Sequence, residues 1–339
     1  MGKQVRMADI AQKLGISTVS VSKALAGKPG VSEEMRAKVV ALSQEMGYVV
    51  PRPAAESAEG NLGVLVADRF FADNAFYTSL YRSLVLTGGS AGLSCMMEIV
   101  SPQDEENVVL PALVAGRKVD AVLFMGEMNP AYIQAVADSG LPFILLDFHV
   151  PGKHWDCVLG DNADGEFALT QHLLENGCRK IGFVGSIWAT SSIMDRYLGF
   201  QKAMRMAGLV PREEWLLEDR GKDGKFIPIR LPEDMPEAFL CSCDEVAYLL
   251  VEALKQQGYQ VPDDVAVCGY DDYRFSTLCQ PPLTTYRVDI QRMAEIAVDM
   301  IEEKLRQTET LPVGRIVLGN LVVRESSIKT NVRLFRHGN

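Results

Sequence analysis

The sequence predicts two unlike parts: an all-α unit of three short helices over residues 5–50, then an α/β body of two doubly wound lobes with parallel sheets. Three observations carry this reading. Apolar residues near the N-terminus recur only at helical spacing. A Pro-, Ala- and Glu-rich stretch, PRPAAESAEG (51–60), follows them and has little to bury. From Leu62 onward, continuous apolar runs alternate with amphipathic stretches, the pattern of parallel strands covered on both faces by helices.

Each element has a local cause. Met7, Ile10, Ala11 and Leu14 form one helical face that stops at Gly15. Ser17 is a good N-cap for a second helix over about 18–26, with Val21 and Leu25 turned inward. Ser32 caps a third, where Glu33 and Glu34 oppose the positive helix end; its core stripe is Met35, Val39, Leu42 and Met46, and Gly47 can end it. In the body the strand runs are 62–67, 93–100, 119–126, 141–147, 179–185, 238–242 and 265–272. Helical stretches lie near 76–88, 105–115, 130–139, 163–176, 193–207, 244–257 and 289–306. Such β–α alternation places a ligand crevice at the carboxyl ends of the strands, between two lobes.

Composition narrows the function. With 47% hydrophobic and 23% charged residues, the chain can bury large cores, and no apolar run approaches the length of a membrane span. No export signal is visible, so the expected location is cytoplasmic. Seven cysteines, odd in number and mostly inside apolar runs, read as buried free thiols, and neither they nor the four scattered histidines have metal spacing. No cofactor is expected. Residues 1–52 carry eight Lys/Arg against four Asp/Glu, a net +4, which leaves −14 for the rest of a chain whose total is −10. A small basic unit on an acidic body fits a polyanion-binding module joined to something that avoids polyanions.

The segment VRMADIAQKLGISTVSVSKALAGKPGVSEEMRAKVVALSQEMGY (5–48) resembles the headpiece of the LacI/GalR family of transcriptional regulators. The likeness continues in order through GDNADGEFALTQHLLENGCRKIGFVG (160–185), DRYLGFQKAMRMAGL (195–209), VPDDVAVCGYDD (261–272) and PPLTTYRVD (281–289). It implies a helix-turn-helix headpiece (1–50), a hinge or linker (51–60) and a two-lobed, type I periplasmic-binding-protein-like sensor (61–339). The first lobe would take 61–159 and 288–311, the second 160–287 and 312–329. The function implied is repression of a catabolic or transport operon, controlled by a small-molecule effector of the sugar class.

The residues agree with that implication. With Val21 and Leu25 buried, Thr18, Val19, Ser22 and Lys23 leave the second helix on its other side. Val19 suits a thymine methyl, Thr18 a base edge or phosphate, and Lys23 a guanine, though without the planar fork of an arginine. Ser20 and Ser22 are candidate phosphate contacts. One short recognition helix makes few contacts, so two headpieces of a homodimer are expected on a palindromic double-stranded operator. The tail SSIKTNVRLFRHGN has no leucine heptads for a coiled-coil tetramer. For the sensor, the resemblance implies effector contacts from Phe76, Tyr77, Glu127, Asp147, Arg196 and Asp271, and from Cys243 where relatives usually carry asparagine. The stretch 222–239 holds three prolines and reads as extended, where relatives carry a helix.

Two rival readings are weaker. An extracytoplasmic solute-binding protein shares such a body but lacks a basic three-helix headpiece. An enzyme is not indicated: no G-x-S-x-G, phosphate-binding glycine loop or Cys/His pair is present, and adjacent strand-end residues such as Asp271 and Asp272 point to opposite faces.

At the hinge, relatives wedge a leucine between base steps, whereas this chain has Ser57. A Ser57→Leu chain should therefore bend its operator more than the parent does. Burying the leucine contributes about 1.5–3 kcal/mol against an unstacking cost of a few kcal/mol, so affinity should rise only modestly. Bend angles from FRET on one operator check this; a sharp kink already present with Ser57 would refute it.

Overall fold

The computed structural model describes residues 7–25, 31–45, 60–71, 75–221, 224–306 and 311–329, so the linker position Ser57 lies outside the described residues. The chain divides into two units, 1–57 and 58–339.

The first unit holds α1 (Met7–Leu14), α2 (Thr18–Leu25) and α3 (Glu33–Glu45). Ile10, Ala11, Val21, Ala24 and Val39 make its buried core, with Leu14, Ile16, Val31 and Leu42 packed around them. The side chains of Met7 and Leu25, and all of Met46, lie outside the described residues. Caps form where the sequence places them: the Ser20 amide donates to Ser17 Oγ at 3.1 Å, and the Met35 amide to Ser32 Oγ at 3.3 Å. Arg36 of α3 donates to the Ala24 carbonyl at the end of α2, tying the two helices together.

The second unit begins with β1 (Gly60–Ala67), α4 (Asp68–Phe71), α5 (Ala75–Ser90), β2 (Leu93–Val100), α6 (Pro102–Glu106), α7 (Ala112–Ala115), β3 (Ala121–Met125), α8 (Pro130–Ala137), β4 (Phe143–Leu146) and β5 (Cys157–Gly160). The chain then enters a second lobe with α9 (Asn162–Glu175), β6 (Ile181–Val184), α10 (Ser191–Met206), β7 (Leu216–Leu217), β8 (Ala238–Cys241), α11 (Asp244–Gln256), β9 (Ala266–Cys268), α12 (Arg274–Leu278) and β10 (Thr285–Arg287). Helix α13 (Ile290–Leu305) returns to the first lobe, followed by β11 (Gly314–Val317) and β12 (Asn320–Val322). The first sheet has the order β11-β5-β4-β3-β1-β2 and the second β7-β6-β8-β9, and every pairing in them is parallel. The inner strands β1, β3, β4, β6 and β8 are buried on both faces, as their apolar runs require, whereas the edge strands β2, β7 and β11 are partly exposed.

Three local expectations are corrected. The stretch 105–115 is not one helix: α6 and α7 are separated where Val108 takes a left-handed φ of 54° and Pro111 precedes the second helix. Residues 312–329 do not all belong to the second lobe. Strand β11 pairs with β5 in the first sheet (Gly314 opposite Cys157), while β12 pairs antiparallel with β10. Strands β5, β7, β10, β11 and β12 are two to four residues long and were not separable as runs. The stretch between β7 and β8 has no helix among its described residues, in agreement with its prolines.

One close approach positions the cleft. Helices α9 and α10 pack so tightly that a Cβ on Gly199 would strike the Ala163 carbonyl, which is backbone and cannot swing away. Gly199→Ala should therefore destabilise the sensor by about 1–3 kcal/mol, the usual penalty of overpacking, read from the midpoint of chemical denaturation. An unchanged midpoint would mean the helices separate at little cost.

Candidate functional site

In the first unit, α2 presents a face opposite the core. Val21 and Ala24 are buried, whereas Thr18 and Lys23 are exposed and Val19 is 62% exposed, an unusual place for valine. An apolar residue between polar ones at the start of an exposed helix suits a base-edge reader. The Ser20 hydroxyl lies 2.9 Å from Ser17 Oγ, on the exposed surface of the helix start. The side chain of Ser22 is not among those described.

In the second unit, a polar cleft of about 60 Å³ lies between the lobes. Its lining includes Phe76, Tyr77, Asp147, Arg196, Cys243 and Asp271, six of the seven sensor positions expected from sequence. The aromatic wall comes from the first lobe: Phe70 and Phe76 each place their ring 5.3 Å from that of Tyr77. Gly126, at φ 81° after β3, leaves room for it, because a Cβ there would press on Phe70 and Tyr77. Tyr77 donates to Asp147 Oδ2 at 2.8 Å.

Asp147 and Asp271 end strand runs of the two lobes, both in the left-handed region, with φ of 71° and 101°. Held there, each carboxylate turns off its sheet toward the cleft, a strain that only a well-braced site sustains. Arg196 of α10 is 6% exposed and spends its donors on a cage. Its Nε donates to Asn162 Oδ1 at 2.9 Å, Nη1 to the Ser242 carbonyl, and Nη2 lies 3.4 Å from Asp271 Oδ1, while the guanidinium stacks 3.8 Å above the Tyr270 ring.

Burial controls the charges. It pushes the Asp147 carboxyl up to about 6 and Asp271 to about 7, each partly restrained by Arg196. Glu166 of α9 is fully buried, neither of its oxygens has a hydrogen-bond partner, and burial pushes it up to about 8. Cys243 is pushed up to about 12 by burial and then by Asp271, so it is an inert thiol.

Glu127 is not in the cleft lining. Its Oε2 accepts the Ser191 amide at 2.6 Å, so a first-lobe carboxylate meets the amino end of a second-lobe helix. Sequence reasoning missed Phe70, Arg220, Phe226 and Tyr273, which also line the cleft. A larger depression of about 690 Å³ opens at the amino ends of the first sheet's strands, beside Phe143, Trp155 and Lys304. Its charged groups satisfy one another, with Lys304 on Asp156 at 2.5 Å and Asp156 accepting the Val313 amide. The smaller cleft carries the convergent polar groups. Among the described residues, no cluster of His, Cys, Asp or Glu could hold a metal ion, and no helix is long and apolar enough to cross a membrane.

The geometry defines a class: a helix-turn-helix unit linked in one chain to a two-lobed binding-protein-like body. Residues 6–50 match the bacterial regulatory proteins of the lacI family, and residues 170–327 match the periplasmic binding protein-like domain. The chain belongs to the LacI family of DNA-binding transcriptional regulators. It is similar to the HTH-type transcriptional repressor PurR of Aliivibrio salmonicida, 26% identical over 308 residues (88% of this chain, 91% of the relative). PurR of Haemophilus influenzae is 27% identical over 332 residues (94% and 97%). These relatives are regulators rather than enzymes. Among solved structures, the fold is like that of the transcriptional regulator CelR in complex with cellobiose (TM-score 0.69, 23% identity, 95% of this chain and 99% of that one). It is also like the lac repressor dimer bound to operator and an anti-inducer (TM-score 0.67, 22% identity, 96% and 100%).

The buried acids set a pH dependence. A carboxyl whose folded value is raised holds a proton that the unfolded chain releases, so its contribution is lost as pH climbs from the ordinary value to the raised one. For Glu166 that window runs from 4.5 to about 8. Sensor stability should fall between about pH 5 and 8, and Glu166→Gln should flatten that fall. Parallel denaturation curves for parent and variant at both ends of the window would contradict the assignment.

Proposed function

We propose that the chain is a repressor of a catabolic or transport operon, that it binds a palindromic operator as a homodimer, and that a sugar or sugar derivative in the cleft controls it. The observation that carries the reading is the pairing of Asp147 and Asp271, one from each lobe, on a cleft that also holds Arg196 and an aromatic wall. Carboxylates and a guanidinium grip hydroxyls in fixed directions, while rings cover the apolar face of a sugar. A ligand touching both carboxylates favours one lobe arrangement, which is what an effector must do to shift a two-state equilibrium. The cellobiose complex of CelR supports the sugar class by likeness of fold.

The dimer contacts draw on exposed apolar residues of the sensor. Val85 and Leu86 of α5, Ile99 on the edge strand β2, and Leu249 and Leu278 of the second lobe are all more than a third exposed. A long apolar edge strand is normally covered.

Three outcomes are expected. Lys23→Ala should weaken operator binding by about 1–3 kcal/mol and relax base choice at one position of each half-site, checked by gel shift on operator variants. Asp147→Asn should leave operator binding in place, since the headpiece is a separate unit, yet shift the effector dose response roughly tenfold. An unmoved dose response in a reporter assay would remove Asp147 from the site. Sedimentation at micromolar concentration should give a dimer, and a monomer would refute the assembly.

A further inference from the structure

We infer that the effector carries a carboxylate and that Arg220 receives it, which makes the ligand a polyhydroxylated acid such as a uronate rather than a neutral sugar. This rests on the effector reading of the cleft given above and narrows it.

Arg220 lies in the turn after β7. It lines the cleft with its side chain 13% exposed. Two of its nitrogens are locked on one carboxylate: Nε donates to Asp219 Oδ1 at 3.0 Å and Nη2 to Oδ2 at 2.8 Å. Asp219 is fixed in turn by the Ser186 amide at 2.9 Å and by Ser242 Oγ at 2.7 Å. These donors and the guanidinium hold the Asp219 carboxyl below its ordinary value, so the brace stays ionised. The guanidinium also stacks on the Phe226 ring at 5.0 Å. What remains is Nη1, which has no hydrogen-bond partner among the described residues.

An arginine held by two nitrogens and open at the third is a directed donor that has already lost its rotamer freedom. Tyr273 and Ser192 line the same cleft, with the Tyr273 hydroxyl donating to Glu245 Oε2 at 3.3 Å and Ser192 Oγ 3.0 Å from Thr190 Oγ1. Asp147 and Asp271 would repel an anion if both stayed ionised. Burial places them at about 6 and about 7, however, where taking up a proton near neutrality needs little work and converts each into a donor. Arg196 remains cationic throughout, because a guanidinium does not lose its proton in this range. The cleft can thus become donor-rich around one anionic group. A carboxylate fits the single open Nη1 better than a phosphate, whose two charges would sit against Asp219.

The test is a thermal-shift titration of the full chain at constant ionic strength. The probes are D-glucuronate, D-galacturonate and D-gluconate, the neutral sugars D-glucose and D-galactose, and D-glucose 6-phosphate. At least one acid should stabilise the protein with a Kd tenfold or more below that of its neutral parent. Arg220→Gln should erase that preference, and Arg220→Lys, which keeps the charge but not the fork, should restore part of it. A circular dichroism spectrum like the parent's qualifies each variant as folded. Stabilisation by neutral sugars alone overturns this inference and leaves the sugar reading intact. Preference for the phosphate overturns the carboxylate assignment. Equal preference for acid in parent and Arg220→Gln removes Arg220. Stabilisation by none of the probes counts against both the inference and the sugar reading.

Discussion

The sensor is organised around one buried charge. Arg196 sits 6% exposed in a lobe core, where an unpaired guanidinium would cost several kcal/mol, so the surrounding chain is arranged to satisfy it. Four segments contribute: Asn162 at the start of α9, the Ser242 carbonyl after β8, Tyr270 and Asp271 after β9, and α10 itself. Each contribution imposes a constraint elsewhere. Asn162 comes within reach because Gly199 lets α10 settle on the α9 backbone. Asp271 comes within reach because its backbone accepts a left-handed φ, and its amide is held by the Tyr286 carbonyl at 2.8 Å. The cleft is therefore the exposed edge of a core problem, and its specificity depends on the packing of two helices well behind it.

That dependence explains what could be read from the sequence. The seven strand runs and most of the amphipathic helices were legible because burial on both sheet faces demands unbroken apolar stretches. Arg196 and Asp271 were legible because they stand inside ordered, family-like motifs. Strands β5, β10 and β12 were not, since their places are decided by pairing partners far along the chain. Arg220 was invisible for a related reason. Nothing in LLEDRGK places an arginine on the cleft until Asp219 is fixed by Ser186 and Ser242, from two other strand ends. For Glu127 the resemblance implied the cleft, whereas its carboxylate accepts the Ser191 amide at the amino end of α10, next to the cleft residues Thr190 and Ser192. The break between α6 and α7 was foreshadowed only by Pro111.

The adjacent acids Asp271 and Asp272 separate two tasks that a single residue could not perform. Asp271 faces Arg196 in the cleft, whereas Asp272 faces away, accepting from Arg287 Nε and Arg324 Nη2, both at 2.6 Å, and from Ser276 Oγ at 3.0 Å. Those arginines and Ser276 pull the Asp272 carboxyl below its ordinary value against its burial, so it stays charged where Asp271 titrates. Arg287 ends β10, just before the chain crosses back to α13, and Arg324 follows β12, just after the chain returns from β11. Both later crossings between the lobes are thus tied to one carboxylate, a single peptide unit from the cleft. The Asp271 carbonyl also accepts the Val288 amide within the first of those crossings. A ligand that draws on Asp271 cannot shift it without straining a dipeptide already held at two left-handed φ angles, 101° and 57°. The strain has one compliant outlet, the crossing segments themselves, because the sheets on either side are close-packed and do not deform gradually. The cleft carboxylate and the crossing segments are therefore joined by covalent geometry.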